Sequence, residues 1–133
     1  MPLKTKLQEA VEDALTQKDI GLILPALRAA QFYAVCTYEE GVPVIWFMPS
    51  PADSSRFVMT VSEDKQWLEE AFAQNPLRPH MDFRPLDGSG ILEIGFEENV
   101  EAYVLFGTDV FKISRNYFEH WAKNMPEESG SHA

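Results

Sequence analysis

The 133-residue sequence contains a single cysteine, Cys36, and no apolar run long enough to cross a membrane. One cysteine cannot form an internal disulfide framework, which fits a reducing compartment. A membrane helix needs roughly 20 apolar residues, and the first six residues lead into a charged amphipathic stretch instead of a secretory signal. We therefore expect a cytoplasmic protein with no membrane partner.

Positive charge is also scarce, with 11 Lys and Arg against 21 Asp and Glu, and the formal net charge is −10. A field of this sign repels a phosphate backbone, so nucleic acid is not an expected partner. Basic proteins, small molecules or a second copy of the chain are favoured instead. The hydrophobic fraction of 45% suffices for one core. We expect one domain over residues 1–124 and a flexible tail over 125–133.

Patterns that bind metals or nucleotides are missing from the sequence. The three histidines are far apart, and no His/Cys pair has the spacing of a metal site. The only glycine cluster, at residues 87–90, has no lysine after it and is predicted to be a turn between strands. Cys36 lies in an alternating stretch, which favours a small core residue over a nucleophile. We expect no metal, no cofactor and no catalytic site, so the chain is not predicted to be an enzyme.

Hydrophobic periodicity predicts four helices and six or seven short strands. The helices are expected at about 5–17, from Asp19 as N-cap to about Ala30, from Ser62 as N-cap to before Asn75, and after Ser114. Pro25 lies either in the first turn of the second helix or at a kink. The strands are expected at 32–37, 44–48, 56–61, 81–84, 91–96, 102–106 and 110–113. Short connections favour antiparallel pairing, which predicts an α+β fold. We expect a single mostly antiparallel or mixed sheet with helices mainly on one face, since a doubly wound fold needs more crossover helices.

Acidic residues are concentrated in one part of the sequence. Glu93, Glu97, Glu98 and Glu101 follow one another with no basic residue between them, and Glu39 and Glu40 form an acidic turn. One interpretation is a solvated turn. The other is a docking surface for a cationic protein, where complementary charge speeds association.

Aromatic residues are the second feature of interest. Trp46 and Phe47 are adjacent in a predicted strand, so they must point to opposite faces. If helices cover one face, one of the two lies under another element or stays exposed. Exposed aromatics beside acids are typical of protein interfaces. Burial of both remains the alternative.

These features predict a non-catalytic, acidic protein-binding module, either an inhibitor or immunity-type protein or a chaperone-like protein that masks a basic toxin, effector or similar protein. The expected partner-binding residues are Glu39, Glu40, Trp46, Glu93, Glu97, Glu98 and Glu101. The alternative is a small-molecule-binding or enzymatic domain with a pocket near His80, Asp82 and Arg84, which alternation places on one side of a strand. A homodimer closed over an apolar sheet face is a third alternative.

Several stretches also resemble a known family. Leu27-Arg28-Ala29-Ala30, Phe32-Tyr33-Ala34-Val35 and the run 57–62 ahead of Trp67-Leu68 are similar to the N-terminal domain of the SseB (enhanced-serine-sensitivity) family. The runs 91–96 and 110–114 stand where that family has its second apolar strand and final helix, so the likeness covers about residues 5–122. The resemblance implies an α+β sheet module without an established catalytic site.

Overall fold

The computed structural model describes residues 4–51, 55–97 and 100–124. Within these residues the helices are α1 (Lys6–Gln17), α2 (Ile23–Ala29), α3 (Lys65–Ala71), α4 (Gly88–Glu97) and α5 (Arg115–Asn124), with 3-10 turns at Ile20–Leu22 and Arg78–His80. The strands are β1 (Gln31–Glu39), β2 (Val42–Ile45), β3 (Phe47–Pro49), β4 (Phe57–Ser62), β5 (Asp82–Asp87), β6 (Val100–Phe106) and β7 (Asp109–Ile113). The predicted tail at 125–133 lies outside the described residues.

The strands form one mixed sheet built around β1 and β4. β1 lies between β5 on one edge and β2 and β4 on the other, and Cys36 is accordingly opposite both Ile45 and Asp82. The parallel pair is β4 and β6, while β6–β7 and β3–β4 are antiparallel. The α+β fold and the mixed sheet predicted from the sequence are confirmed.

The two faces of the sheet are covered unequally. The face that we call the helical face is covered by α1, α2, α4 and α5, and it holds the main core around Phe32, Met59, Val104, Phe118 and Trp121. The opposite face, which we call the α3 face, packs a smaller core of Val35, Leu68, Met81, Phe83 and Leu105 beneath α3. Helices therefore lie mainly on one face, as predicted.

Local sequence accounts for the first helical elements. The Thr5 hydroxyl accepts a hydrogen bond from the backbone N–H of Gln8 at 3.0 Å, and the Gln8 side chain accepts one from the Thr5 N–H at 3.2 Å. This reciprocal capping box fixes the start of α1. Asp19 caps the 3-10 turn that leads into α2. Pro25 lies in the first turn of α2, which is the first of the two alternatives left open by the sequence.

The prediction of a strand at 91–96 is wrong, because these residues belong to α4. The buried positions of α4 are Gly88, Ile91, Leu92 and Gly95, a spacing typical of one helix face. The predicted turn at 87–90 is also wrong, since it contains the end of β5 and the first turn of α4. Apolar β-branched and aromatic residues suggested a strand, but two glycines allow close packing of this helix. A Cβ on Gly88 would lie 1.6 Å from the carbonyl oxygen of Leu27.

Two smaller expectations about local structure are also corrected. The N-cap of α3 is Asp64, whose carboxylate accepts a hydrogen bond from the Gln66 N–H at 2.9 Å. Ser62 instead ends β4, and its hydroxyl donates to the backbone oxygens of Asp64 and Leu105. Among the described helices, none is long and apolar enough to cross a membrane.

Candidate functional site

Trp46 and Phe47 lie on opposite faces of the sheet, as strand alternation requires. Trp46 packs on the α3 face, where its ring meets that of Phe72 edge-on with centroids 5.7 Å apart. Phe47 lies on the helical face and is 36% exposed. The aromatic anchor expected at Trp46 is therefore half-buried inside the protein, and the exposed member of the pair is Phe47.

Phe47 belongs to a row of exposed residues on the helical face. We call this row the aromatic strip; its members are Tyr38, Pro43, Phe47, Pro49 and Phe57, which come from β1, β2, β3 and β4. Each of the five is exposed, and Tyr38 and Phe57 reach 50% and 46%. Exposed apolar groups that share one face of a sheet are typical of interaction sites.

Register places the β3–β4 half of the strip on the helical face. Met59 belongs to the main core, and Phe47 is its cross-strand partner, so the two side chains point the same way. Phe57 is two residues before Met59 and therefore shares its face. Pro49 is opposite Phe57 and completes this half.

The β1–β2 half follows from the same geometry. Ala34 belongs to the main core, and Tyr38 is four residues further along β1. Pro43 is the cross-strand partner of Tyr38. Because successive residues of a strand alternate, Tyr38 and Pro43 also point to the helical face. The helices cover the central part of this face and leave the strip open.

An acidic residue borders the strip at the β1–β2 turn. Glu39 and Glu40 follow Tyr38 and both are exposed, but Glu39 is still in β1 and by alternation points to the α3 face, which leaves Glu40 in the turn at this end of the strip. Glu40 and Gly41 have φ angles of 53° and 82°, the left-handed conformation that a tight two-residue hairpin requires. The turn therefore places one exposed glutamate, Glu40, at the end of the strip that carries Tyr38.

A pair of acids lies at the other end of the strip. Glu93 and Glu97 are exposed on α4, and their four-residue spacing puts them on one side of the helix. Glu97 is three residues before Val100, which is the register partner of Phe57. Three residues span at most about 11 Å, so Glu97 stays near this end of the strip. Glu98 lies outside the described residues.

Glu101 corrects the expectation of a continuous acidic surface. It is 3% exposed and lies on the α3 face, opposite Val58. Arg56 and Lys112 form ion pairs with it at 3.5 and 3.4 Å, and the backbone N–H of Arg115 donates to it at 3.1 Å. Glu101 is therefore a structural residue. Its burial follows from strand alternation, which turns its side chain toward Arg56 and Lys112. The count of acids along the sequence did not consider this.

The alternative site is brought together only in part. Asp82 and Arg84 share a face of β5 and form an ion pair at 3.3 Å, and the Tyr38 hydroxyl donates to Asp82 at 2.8 Å. This hydrogen bond, together with Arg84, holds the pKa of Asp82 below its usual range. The same hydrogen bond raises the pKa of Tyr38, and Arg84 opposes that rise. His80 was predicted to lie on this strand, but it lies in the preceding 3-10 turn.

His80 instead borders a hollow of about 390 Å³ where β1 extends past the start of β5. Its lining residues are Thr37, Tyr38, Pro79, His80 and Met81. Cys36, the neighbour of Thr37, is buried as predicted, and burial raises the pKa of its thiol. In the part of the chain that the structure describes, there is no group of three or more His, Cys, Asp or Glu that could hold a metal ion.

Tyr38 and Phe57 were not among the partner-binding residues expected from the sequence. The alternation of buried and exposed side chains in β1 and β4 could have identified them, because Tyr38 and Phe57 point to the same face as the core residues Ala34 and Met59. No protein-family model matches the sequence, and no curated protein and no solved structure was found to match it. The SseB-like resemblance therefore stays a prediction.

Proposed function

We propose that this chain is a non-catalytic protein-binding module that masks a basic partner protein in the cytoplasm, as an inhibitor, immunity-type or chaperone-like protein does. The observation that supports this is the aromatic strip with exposed carboxylates at both ends. Protein interfaces commonly combine an aromatic centre with a polar rim. The strip supplies the centre, Glu40, Glu93 and Glu97 supply the rim, and Glu39 adds negative charge at the same turn.

Charge favours a basic partner over a second copy of the chain. Two copies would each carry a formal charge of −10 and would repel one another. A partner surface with an apolar centre ringed by Lys and Arg would satisfy the strip and the rim together. Arg side chains would also stack on Tyr38, Phe47 and Phe57 through cation–π contacts. Trp46 and Glu101 have no place in this interface.

The proposal is tested by affinity purification from native cells with matched variants. The double variant Phe47→Ser, Phe57→Ser removes the exposed rings, and we expect it to lose a basic protein that the wild type retains. Val110→Ser is the control, because Val110 is 56% exposed but lies on the α3 face of β7. It should retain the same protein. Equal retention by the double variant, or an acidic retained protein, would contradict the proposal.

Purified components then separate the roles of the strip and the rim. Each single Phe→Ser change should raise the dissociation constant about 30-fold, as expected for an interface anchor. Glu39→Gln with Glu40→Gln should slow association several-fold at low salt and much less at high salt. A concentration-dependent dimer that Phe47→Ser abolishes would instead favour the homodimer.

A further inference from the structure

A cleft of about 510 Å³ lies at the end of the sheet opposite the aromatic strip, where β1 begins and β4 ends. Its lining residues are Lys6, Leu7, Pro25, Ala26, Ala29, Ala30, Gln31 and Glu63. They come from the start of α1, the length of α2, the start of β1 and the connection between β4 and α3. The volume is within the range of small-molecule sites.

Small side chains on α2 create the space in this cleft. Pro25, Ala26 and Ala29 follow helical spacing along one side of α2, and Ala30 continues the wall into β1. Leu7, which is 2% exposed, forms part of the same lining from α1. The walls are therefore aliphatic, and the space suits a short branched hydrocarbon group.

Glu63 provides the negative charge of the cleft. Its carboxylate lies close to the Thr5 hydroxyl, which also caps α1. Its Oε1 is buried and has no hydrogen-bond partner among the described residues. Burial raises the pKa of Glu63, and the hydrogen bond from Thr5 offsets this in part. A carboxylate in this state gains from a ligand that brings a cationic N–H donor.

Lys6 and Gln31 complete the polar lining. Lys6 and Glu63 line the same cleft, yet no ion pair joins them within the described part of the chain. The ammonium group of Lys6 is exposed and available to an anionic group. Gln31 can both donate and accept hydrogen bonds. The cleft thus presents one carboxylate, one ammonium and an aliphatic wall.

We propose that this cleft binds a small zwitterion, the chemistry of a free aliphatic amino acid, with its ammonium group on Glu63, its carboxylate on Lys6 and its side chain against α2. A simple amine would leave Lys6 unpaired and be repelled by it. A simple carboxylate would be repelled by Glu63. The zwitterion satisfies both charges, and this site is independent of the aromatic strip.

The test is an NMR titration of the full chain with three probes that carry the same branched side chain. The probes are L-valine, isobutylamine, which lacks the carboxylate of valine, and isovalerate, which lacks its ammonium group. We expect valine to cause saturable shifts in the backbone amides of Ala26, Ala29 and Gln31, with a dissociation constant on the order of 1 mM for so small a ligand. Isobutylamine and isovalerate should each bind about tenfold more weakly, since each makes only one of the two charge contacts.

Variants locate the binding and keep the proposal falsifiable. Glu63→Gln should weaken valine binding about tenfold, and Ala26→Leu should abolish it by filling the cleft while every charge remains. Glu119→Gln removes an exposed carboxylate on α5 and should leave binding unchanged. Spectra of the free variants show that each is folded. The absence of saturable shifts up to the solubility limit of valine, equal binding of isobutylamine, or full binding by Glu63→Gln would each overturn the proposal.

Discussion

Trp46 and Phe47 are neighbours in the chain, yet their rings lie on opposite faces of the sheet. Trp46 meets Phe72 beneath α3, whereas Phe47 is opposite Met59 on the helical face and remains 36% exposed. The same dipeptide therefore supplies one core residue and one member of the aromatic strip. Substitution of Trp46 should therefore lower mainly the stability of the protein, and substitution of Phe47 should weaken mainly the binding of a partner.

The first prediction concerns this pair. Trp46→Ala should lower the free energy of unfolding by about 2 kcal/mol, because a large ring is lost from a core. Phe47→Ala should lower it by about 1 kcal/mol or less, because its ring is partly in solvent. Urea unfolding followed by far-UV circular dichroism measures both. A larger loss for Phe47 than for Trp46 would contradict the assignment of the two faces.

The second prediction concerns the buried glutamate of β6. Glu101→Ala should cost about 3 kcal/mol, because it removes the carboxylate that pairs with Arg56 and Lys112 and accepts from the Arg115 N–H. Glu93→Ala is the matched control, since this glutamate is exposed on α4 and should change stability by less than about 0.5 kcal/mol. Chemical denaturation of both variants decides the point. Similar effects at the two positions would mean that Glu101 is not a structural residue.

The third prediction concerns the contact between α4 and α5. A Cβ on Gly95 would lie 2.2 Å from the ring of Phe118, which is fully buried. Alanine favours a helix over glycine by about 1 kcal/mol, but overpacking costs about 1–3 kcal/mol, and a rigid ring in a core leaves little room for relief. Gly95→Ala should therefore lower the thermal midpoint.

Ser89→Ala serves as the control on the same helix. Ser89 is exposed, so this change should be neutral or slightly stabilising. A Gly95→Ala variant that melts at or above the wild-type temperature would show that Phe118 can move aside. In that case the close approach of α4 would not depend on the glycine.

The fourth prediction is a pH dependence from Glu63. Burial raises the pKa of Glu63 in the folded protein, so the folded state holds this proton more tightly than the unfolded chain. The carboxyl group therefore contributes nothing below its unfolded pKa of about 4.3 and destabilises the fold as the pH rises through the folded pKa. Glu63→Gln stays neutral, so its stability relative to the wild type should rise from about pH 4 to about pH 7.

Unfolding of both proteins across this pH range measures the effect. Thr5→Val is a further check, because it removes the hydroxyl that stabilises the charged form of Glu63. Its stability relative to the wild type should fall as the pH rises. A constant difference between Glu63→Gln and the wild type at every pH would exclude a raised pKa at this site.

The fold class and most strands could be predicted because their signals are local. The alternation of β1 and β4 and the caps at Thr5 and Asp19 depend on neighbours a few residues away. The helix α4 was missed because its residues favour strands locally. Its helical state depends on the close approach of Gly88 to Leu27 and of Gly95 to Phe118, which no local pattern encodes.

In the candidate site, too, some features could be predicted from local sequence and others depend on long-range packing. Exposed acids at Glu39 and Glu40 could be predicted, because a tight turn is exposed wherever the hairpin lies. The linear sequence grouped Glu101 with Glu93 and Glu97, although a buried strand position among cationic side chains separates it from them. Sequence proximity therefore did not correspond to a shared surface.

By itself, the sequence determined the acidic charge, the amphipathic α1, the strand character of the middle of the chain and the opposition of Trp46 and Phe47. These follow from composition and from the fixed periods of helices and strands. Only the tertiary structure decided which of the two rings stays exposed, which glutamates reach the surface and where α2 leaves a cleft. Those outcomes depend on which helix covers which face of the sheet, and that is set by packing between residues far apart in the chain.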